Sequence, residues 1–420
     1  MKITVRQNPD IDGNVLFVAL ILALVMGLTL GSYLTLIAGQ EQSVSRSQRW
    51  NSAIDVAEAG IEEGLAQVNA SPVDFSLNGW TASGSTYGPQ IRTLTNGSYS
   101  VIIQGGTTPT IYATGTVTAP ITGTKIQRTV RVTTTVIPLF NVALGAVGSI
   151  NMNGNSMATD SWNSLSNNLS NNGVYTSTKV STNGDVASQQ GIVNVGNHTI
   201  DGNLYLGPAA TYISSTNDVM GTIDKNYNVN FPDVVLPSSA ATALPAPVIG
   251  GNYVLSANIA YYINGGMGNK PIVVSAGLTN VTLFVYIENF TPSSIDLMGG
   301  MTNASTLTLY DAPPSAGGTA TMASGNNTGG AIGARPINFI FYGTANLASI
   351  DMSGTSQFIG AIYAPQSTLA LDGGGGAPNV QGAIIVGNAS LNGHYDVHYD
   401  EALAQFGPAK GFVANSWQEL

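Results

Sequence analysis

Residues 12–42 read DGNVLFVALILALVMGLTLGSYLTLIAGQEQ and contain no charged side chain between Asp12 and Glu41. The uncharged run 14–40 would extend roughly 40 Å as a helix, which exceeds the roughly 30 Å of a bilayer core. A secretory signal has a shorter apolar core followed by a small-residue cleavage site, and this run has neither feature. The segment is therefore predicted to be a retained helix of membrane-spanning length.

The helical pattern continues after Glu41. Residues 41–72 read EQSVSRSQRWNSAIDVAEAGIEEGLAQVNASP, in which apolar residues recur at helical spacing. The apolar stripe consists of Ile54, Ala57, Ile61, Leu65 and Val68, and a second ridge of small residues consists of Ala53, Ala57, Gly60 and Gly64. Pro72 ends the pattern. One helix is predicted over residues 14–69, apolar all round in its first half and amphipathic in its second.

The part of the chain after the helix is predicted to be rich in short strands. The 420 residues include 50 Gly and no Cys, so the fold must be held together by burial and hydrogen bonding. Three alternating segments are SYSVIIQ (98–104), TIYATGTVTA (110–119) and KIQRTVRVTTTVIPLF (125–140). In the third segment, Arg128 and Arg131 are expected to be exposed. A helix with a small antiparallel sheet is predicted for residues 14–140.

From Asn141 onward, short apolar segments alternate with Gly and Asn. In GIVNVGNHTIDGNLYLG (191–207) the apolar positions are Ile192, Val195, Ile200 and Leu204. Short strands separated by corners of Gly and Asn, which tolerate left-handed backbone, are typical of a parallel β-helix. A parallel β-helix, or solenoid, is predicted over residues 141–405, with a jelly roll or sandwich as the rival fold. The Pro-rich segment 231–251 is predicted to be an extended excursion or a linker, and 406–420 a C-terminal tail.

The charge balance argues against one class of partner. The net charge is −10, with 13 Lys and Arg, and nucleic-acid binding requires a dense basic patch. No nucleic-acid partner is therefore expected.

The main candidate for chemistry is GHYDVHYDE, residues 393–401. In a strand, His394, Asp396, His398 and Asp400 would project from one face and could bind a divalent metal. The sequence favours a simpler interpretation, a polar edge where the chain leaves the domain, because strand ligands two residues apart need further ligands to converge on them. No enzymatic activity, cofactor or metal is predicted.

Two other sets of residues raise the possibility of polysaccharide chemistry or binding. Asp160, Asp185, Asp201 and Asp224 occupy corner-like positions, where Asp is ordinarily a turn residue rather than a catalyst. Tyr205, Tyr261, Tyr262, Tyr286 and Tyr363 are candidates for binding surface glycans. Tyrosines in strands are more commonly half-buried packing residues.

Two parts of the sequence resemble known families. The leader MKITVRQNPDIDG, the apolar helix and the block SQRWNSAIDVAEAGIEEGLAQVN resemble the N-terminal region of PilX-type proteins, which are type IV pilin-like subunits. This resemblance implies a leader over residues 1–13, cleavage by prepilin peptidase after Gly13, and Asn14 as the new N-terminus. Residues 141–405 are similar to a β-solenoid domain that commonly follows PilX-type N-termini in bacterial surface proteins.

The chain departs from major pilins at one position. They carry Glu as the fifth mature residue, where this chain has Val18, so the resemblance implies a minor or tip-located subunit. Gly27 and Gly31 are spaced as in helices that pack closely. The expected function is that of a structural subunit, held in the inner membrane as a precursor and then assembled with other pilin-like subunits into a surface filament for pilus assembly or adhesion. The alternative is a membrane-anchored β-helix protein that binds or cleaves polysaccharide without entering a filament.

Overall fold

The computed structural model describes residues 12–70, 75–120, 123–214, 218–227, 231–247, 251–301, 303–325, 329–330, 334–354, 357–373 and 379–420. Within these residues the chain forms two compact units. One unit comprises the residues up to Ile137 together with Ala409–Leu420, and the other comprises Pro138–Pro408.

The helices and strands follow in chain order. The first unit contains α1 (Asp12–Ala70), β1 (Ala82–Ser83), β2 (Thr86–Leu94), β3 (Gly97–Gln104), β4 (Thr110–Thr118) and β5 (Lys125–Pro138). The second unit contains β6 (Leu144–Ala146), β7 (Ile150–Asn151), β8 (Asn155–Trp162), β9 (Val186–Ser188), β10 (Ile192–Ile200), β11 (Leu204–Leu206), β12 (Thr211–Ser214), β13 (Ile223–Asp224), β14 (Ala241–Ala243), β15 (Tyr253–Leu255), β16 (Ala260–Ile263), β17 (Ile272–Val274), β18 (Val281–Val285), β19 (Asn289–Phe290), β20 (Ile295–Leu297), β21 (Leu307–Asp311), β22 (Gly318–Gly325), β23 (Gly329–Gly330), β24 (Phe339–Gly343), β25 (Leu347–Gly354), β26 (Phe358–Asp372), β27 (Asn379–Leu391), β28 (Asp396–Asp400) and α2 (Ala402–Phe406). The last strand, β29 (Ala409–Glu419), returns to the first unit.

The predicted long helix is confirmed as α1. It begins two residues earlier and ends one residue later than predicted. Its second half packs on β3 and β4 through the predicted ridge of small residues. A Cβ added to Gly60 would lie 2.9 Å from the Ala113 Cβ, and one added to Gly64 would lie 2.6 Å from the Ile111 Cγ2. Glycine is therefore required at both positions because the helix approaches the sheet too closely for a larger residue.

The first unit contains a six-stranded sheet in the order β1-β2-β3-β4-β5-β29, and β1 to β5 pair antiparallel. The three predicted strands correspond to β3, β4 and β5. The predicted exposure of Arg128 is wrong, since its side chain is only 9% exposed. Residues 409–419, predicted as part of a tail, form β29 beside β5, and Glu419 makes an ion pair with Arg128. The sequence missed this because β29 pairs with a strand almost 300 residues earlier.

The second unit is built around a 20-stranded sheet that closes into a ring of parallel strands, called the parallel-strand ring below. Every pairing described between its strands is parallel, for example β26 with β27 and β27 with β28. β15, β17 and β20 form a separate three-stranded parallel sheet. Jelly rolls and sandwiches are built mainly from antiparallel strands, so the rival prediction does not fit these pairings.

One column of apolar side chains runs through the core of the parallel-strand ring. Its members, each in register with the next, are Tyr261, Leu283, Leu309, Phe341, Ile362, Ile384, Leu144, Val186 and Leu204. All of them are buried. Of the apolar positions named in residues 191–207, Val195, Ile200 and Leu204 are buried and Ile192 is not. Ile192 is 48% exposed and Val193 is buried instead, because the alternation of β10 begins one residue later.

The first strand of the second unit, β6, lies between two other strands of the parallel-strand ring. β6 pairs with β9, which follows it, and also with β27 near the end of the unit. Residues 231–240 of the Pro-rich segment cross the outer side of these strands as an extended chain, and residues 241–243 form β14, which pairs with β16. The Tyr363 hydroxyl donates a hydrogen bond of 2.6 Å to the Pro232 carbonyl, and Phe231 is buried beside Gly145. The segment therefore covers strands from both parts of the unit, and its residues 248–250 lie outside the described ranges.

Candidate functional site

The first half of α1 is an exposed apolar surface. From Val15 to Leu36 its large apolar side chains are 43–75% exposed. Within the described ranges, α1 is the one helix long and apolar enough to cross a membrane. An apolar surface of this size needs a lipid or protein partner. This half of α1 is called the apolar segment below.

The predicted assembly residues lie on the apolar segment. Val18 is 53% exposed, and, apart from the helix's own backbone, no atom of the described residues lies within 4 Å of a Cβ added to Gly27 or Gly31. Both glycines therefore leave room for a close approach by another helix. Gly13 and Asn14 lie in the first turn of α1, and the predicted leader residues 1–11 lie outside the described ranges.

The second half of α1 is held to the sheet by polar as well as apolar contacts. Glu63 accepts a hydrogen bond of 2.8 Å from the Tyr99 hydroxyl, and one of its oxygens lies 2.6 Å from Nη2 of Arg92. The block AEAGIEEGL thus supplies both the glycines that approach β4 and a carboxylate that pairs with β2 and β3. This block fixes the amphipathic half of the helix, whereas the apolar segment has no packing partner among the residues that the structure describes.

The four residues of the candidate metal site are not brought together as ligands. His394 precedes β28 and is exposed, whereas His398 and Asp400 lie in β28 and are buried. Asp396 accepts a hydrogen bond of 2.9 Å from the Ala158 amide. Across the part of the chain that the structure describes, no three His, Asp or Glu side chains are grouped to hold a metal ion.

His398 instead belongs to a cluster with Asp160 and Tyr175. Its Nδ1 lies 2.7 Å from Oδ1 of Asp160, and the Tyr175 hydroxyl donates a hydrogen bond of 2.9 Å to Oδ2 of the same carboxylate. The rings of Tyr175 and His398 are stacked with their centres 3.7 Å apart. Burial is the largest cause, and the nearby Asp160 carboxylate a second, of the raised pKa of Tyr175. Tyr175 therefore remains a neutral donor that covers the imidazole.

Asp400 has a similar structural role. One of its oxygens accepts hydrogen bonds of 2.9 Å from the Ser164 amide and 3.1 Å from the Ala402 amide. Burial raises the pKa of this carboxyl group. Ser164 and Tyr175 both belong to the long connection between β8 and β9, so Asp400 and the His398 cluster hold this connection against β28.

One comparison with known proteins matches part of the second unit. A family model described as "Domain of unknown function (DUF7305)" matches residues 280–406, which span the strands from β18 to β28. No curated protein matches the chain. Among solved structures, the competence-associated pilin ComZ from Thermus thermophilus is similar, with 10% identity and a TM-score of 0.26 over 88% of this chain and 97% of that chain. The family description assigns no function to these strands.

The tyrosines predicted as glycan candidates lie in different environments. Tyr261 is buried and its hydroxyl oxygen accepts from the Ala257 amide, and Tyr363 is buried against Pro232. Tyr205 is partly exposed and stacks on Tyr227 with ring centres 4.4 Å apart. Tyr262 and Tyr286 are also partly exposed, with ring centres 6.4 Å apart. Surface-accessible aromatic area thus remains at Tyr205, Tyr262 and Tyr286.

Two of the four corner aspartates accept hydrogen bonds from backbone amides nearby. Asp185 accepts from the Asn203 amide at 2.6 Å, Asp224 accepts from the Asn226 amide at 3.0 Å, and Asp201 lies between β10 and β11. Asp160 differs, because its partners are the side chains of His398 and Tyr175. The sequence showed no sign of Tyr175, which lies in a Ser- and Asn-rich connection without a periodic pattern.

Proposed function

We propose that this chain is a pilin-like structural subunit whose apolar segment spans the inner membrane and then packs with other pilin-like helices. The observation that carries the proposal is the division of α1, with one half packed on its own sheet and the other exposed and without a packing partner in the described ranges. The same helix can therefore leave the bilayer and enter a helical core without disturbing the fold of the first unit. The leader and the block AEAGIEEGL support this proposal through their resemblance to PilX-type proteins.

We propose further that the parallel-strand ring is a solenoid displayed at the cell surface. Tyr261 and Leu283 are 22 residues apart, as are Ile362 and Ile384, and each pair lies in register. Such recurrent spacing with parallel pairing is typical of stacked coils. The solenoid would be the part of the subunit that contacts other surfaces, including glycans at exposed tyrosines.

A minor or tip-proximal position fits the residue at Val18. Cleavage after Gly13 by prepilin peptidase frees the amine of Asn14, and a positive charge among apolar side chains is unfavourable unless it is paired. The first carboxylate after Asn14 is Glu41, about 40 Å along the helix. At a tip, no subunit above needs a carboxylate from this chain.

Mass spectrometry of the N-terminus in sheared surface fractions tests both steps. The proposal requires a mature chain beginning at Asn14 and an abundance well below that of the shaft subunit. An intact Met1 in the surface form rules out the processing step, and shaft-level abundance rules out the tip position.

A membrane-anchored surface protein that never enters a filament is the second candidate. The apolar segment is long enough to be a simple anchor, and the partly exposed Tyr205–Tyr227 stack is a surface on which a sugar ring could pack. Such a protein would stay in the membrane fraction after shearing and would need no cut after Gly13. The same mass spectrometry experiment therefore separates the two functions.

A further inference from the structure

A cationic cleft lies within the first unit, where α1 passes the start of β5. Its volume is about 560 Å³, and its walls include Arg46 and Trp50 of α1 and Lys125 of β5. Arg46 and Lys125 are both exposed. The Arg128 guanidinium lies 4.5 Å from the centre of the Trp50 ring, which holds that aromatic wall in place. This surface is called the basic cleft below.

The charges of the basic cleft are not neutralised by the part of the chain that the structure describes. The positions three and four residues from Arg46 on α1 are Gln42, Ser43, Arg49 and Trp50, so no carboxylate is its helical neighbour. The ion pairs formed by the described residues involve Arg92, Arg128 and His398. In a chain with 13 Lys and Arg against 23 Asp and Glu, two unpaired cations at one cleft favour an acidic partner.

The same helix carries an acidic ridge, defined as Asp55, Glu58 and Glu62. All three side chains are exposed, and they lie three and four residues apart on one helix face. Like charges at this spacing repel one another and destabilise a helix. The ridge would therefore gain from cations supplied by another molecule.

The basic cleft and the acidic ridge cannot meet within one chain. At about 100° per residue, Glu58 lies about 120° and Asp55 about 180° around the helix from Arg46. Arg46 also precedes Glu58 by 12 residues, or about 18 Å along the axis. Complementary surfaces on opposite sides of one helix can pair between two parallel copies, in a head-to-tail contact.

We propose that the acidic ridge of one copy of this chain docks in the basic cleft of the next, with their α1 helices parallel and staggered by about 18 Å. The inference rests on the proposed function in one respect, since the apolar segments bring two copies side by side in the inner membrane before assembly. A pair of copies in the membrane requires no repeating run of this subunit in the filament. Anionic lipid headgroups are another possible occupant of the cleft, but they would leave the acidic ridge unpaired. A contact between copies satisfies both surfaces.

Zero-length carbodiimide cross-linking tests the contact on the full chain in its membrane. The reagent joins an amine to a carboxylate that touches it, so it should link Lys125 to Asp55, Glu58 or Glu62. A mixture of isotopically light and heavy chains shows by mass spectrometry whether the link joins two copies. We expect mixed light–heavy links, and a decrease of at least fivefold in Glu58→Gln/Glu62→Gln. The matched control Glu41→Gln, which removes an exposed carboxylate from the same helix outside the ridge, should leave them unchanged.

Charge reversal exchanges the amine and the carboxylates between the two surfaces, and so tests the contact with the reacting groups in swapped positions. Lys125→Glu alone and Glu58→Lys/Glu62→Lys alone should each abolish the links between positions 125 and 58 or 62. The variant that combines all three substitutions should restore them. Links confined to one chain, no links in the wild type, or failure of the combined variant to restore them would overturn the proposal. Binding to phosphatidylserine vesicles that is lost in Arg46→Glu, without links between copies, would assign the cleft to headgroups and overturn it as well.

The same variants separate this contact from the proposed function. If the wild type is absent from sheared filaments, the proposed function fails, while cross-linking in the membrane still decides the contact. If the wild type and both single-sided reversals enter filaments equally and no links form, the contact is wrong and the proposed function stands.

Discussion

Ile384 is paired in register with Leu144, although 240 residues separate them in the chain. Both side chains are fully buried in the apolar column of the parallel-strand ring. The first strand of the second unit, β6, therefore completes its pairing only when β27, near the end of the unit, is in place. Stability of the whole unit should depend on residues at this junction.

The substitution Ile384→Asp should destabilise the second unit by roughly several kcal/mol, because it places an unpaired charge in the apolar column. Ile385→Asp should also be strongly destabilising, since Ile385 is buried under Phe231 on the other face of β27. Urea unfolding of the detergent-solubilised chain measures both effects. Val254→Asp, at a side chain 48% exposed, is the control and should change the stability by about 0.5 kcal/mol or less. A much larger effect of Ile385→Asp than of Ile384→Asp would contradict the assignment of faces.

Truncation within and after α1 should show that the first unit needs this helix to fold and the second unit does not. A chain beginning at Ser43 keeps Ala53, Ala57 and Ile61, which are core residues of the first unit, and should retain both units. A chain beginning at Phe75 should lose the folded first unit and keep a β-rich second unit. Scanning calorimetry and circular dichroism distinguish these results. An unchanged first-unit transition in the shorter chain would show that α1 is not part of that core.

His198 should make the second unit sensitive to acid. Both ring nitrogens are buried without a hydrogen-bond partner among the described residues, and burial lowers the pKa of His198 to about 4. The unfolded chain takes up the proton near the ordinary pKa of 6.5, so stability should fall as the pH drops from 6.5 to about 4, by about 3 kcal/mol. His198→Phe should remove this dependence, as measured by the melting temperature across that range. His394→Gln, at an exposed position, is the control and should keep it. An unaltered pH profile in His198→Phe would rule out this role.

Asp311 should have the opposite pH dependence. It is fully buried in register with Val285 and Gly343, and burial raises its pKa well above 3.8. The folded chain keeps this proton after the unfolded chain has lost it, so stability should fall as the pH rises from 3.8 towards the raised pKa. Asp311→Val should therefore stabilise the chain at pH 7 by about 1–3 kcal/mol. Denaturant midpoints at pH 4 and pH 7 measure the effect, with Asp224→Asn as the exposed control. A destabilising Asp311→Val at pH 7 would indicate that the carboxylate has a partner.

No stoichiometric metal is expected at His394 and His398, and no hydrolase or lyase activity. The Nδ1 of His398 faces the Asp160 carboxylate, and Tyr175 is stacked on its ring. Elemental analysis of the purified full chain tests the first expectation. One tightly bound ion per chain that is lost in His398→Ala would contradict it. The control His394→Ala alters the other candidate ligand without disturbing the cluster.

Several features were predictable because they depend on local pattern. The run without charge between Asp12 and Glu41 and the stripe ending at Val68 predicted α1 to within two residues at each end. Alternation predicted β3, β4 and β5, and short segments with Gly and Asn corners predicted parallel pairing in the second unit. Hydrophobic period and composition are properties of neighbouring residues, so they can be read without knowing which distant residues make contact.

The candidate site was less predictable because its partners are distant in the chain. GHYDVHYDE suggested a shared face for four polar residues, yet His398 is paired with Asp160, which lies 238 residues earlier. Arg128 was expected in solvent, and β29 covers it. Strand alternation places Ile385 on the face of β27 opposite Ile384, yet Ile385 is also fully buried, close to Phe231 of the Pro-rich segment.

The sequence by itself determined that the chain has a membrane-length helix with one apolar and one amphipathic half, followed by many short strands, because hydrophobic period acts over a few residues. Only the tertiary structure decided how closely the amphipathic half of α1 approaches its sheet, since the space at Gly60 and Gly64 depends on side chains of β4. It also decided that β27 pairs with β6. The positions of the basic cleft and the acidic ridge around α1 likewise depend on where β5 lies beside the helix. Those relationships arise from contacts between residues far apart in the chain, which no local pattern encodes.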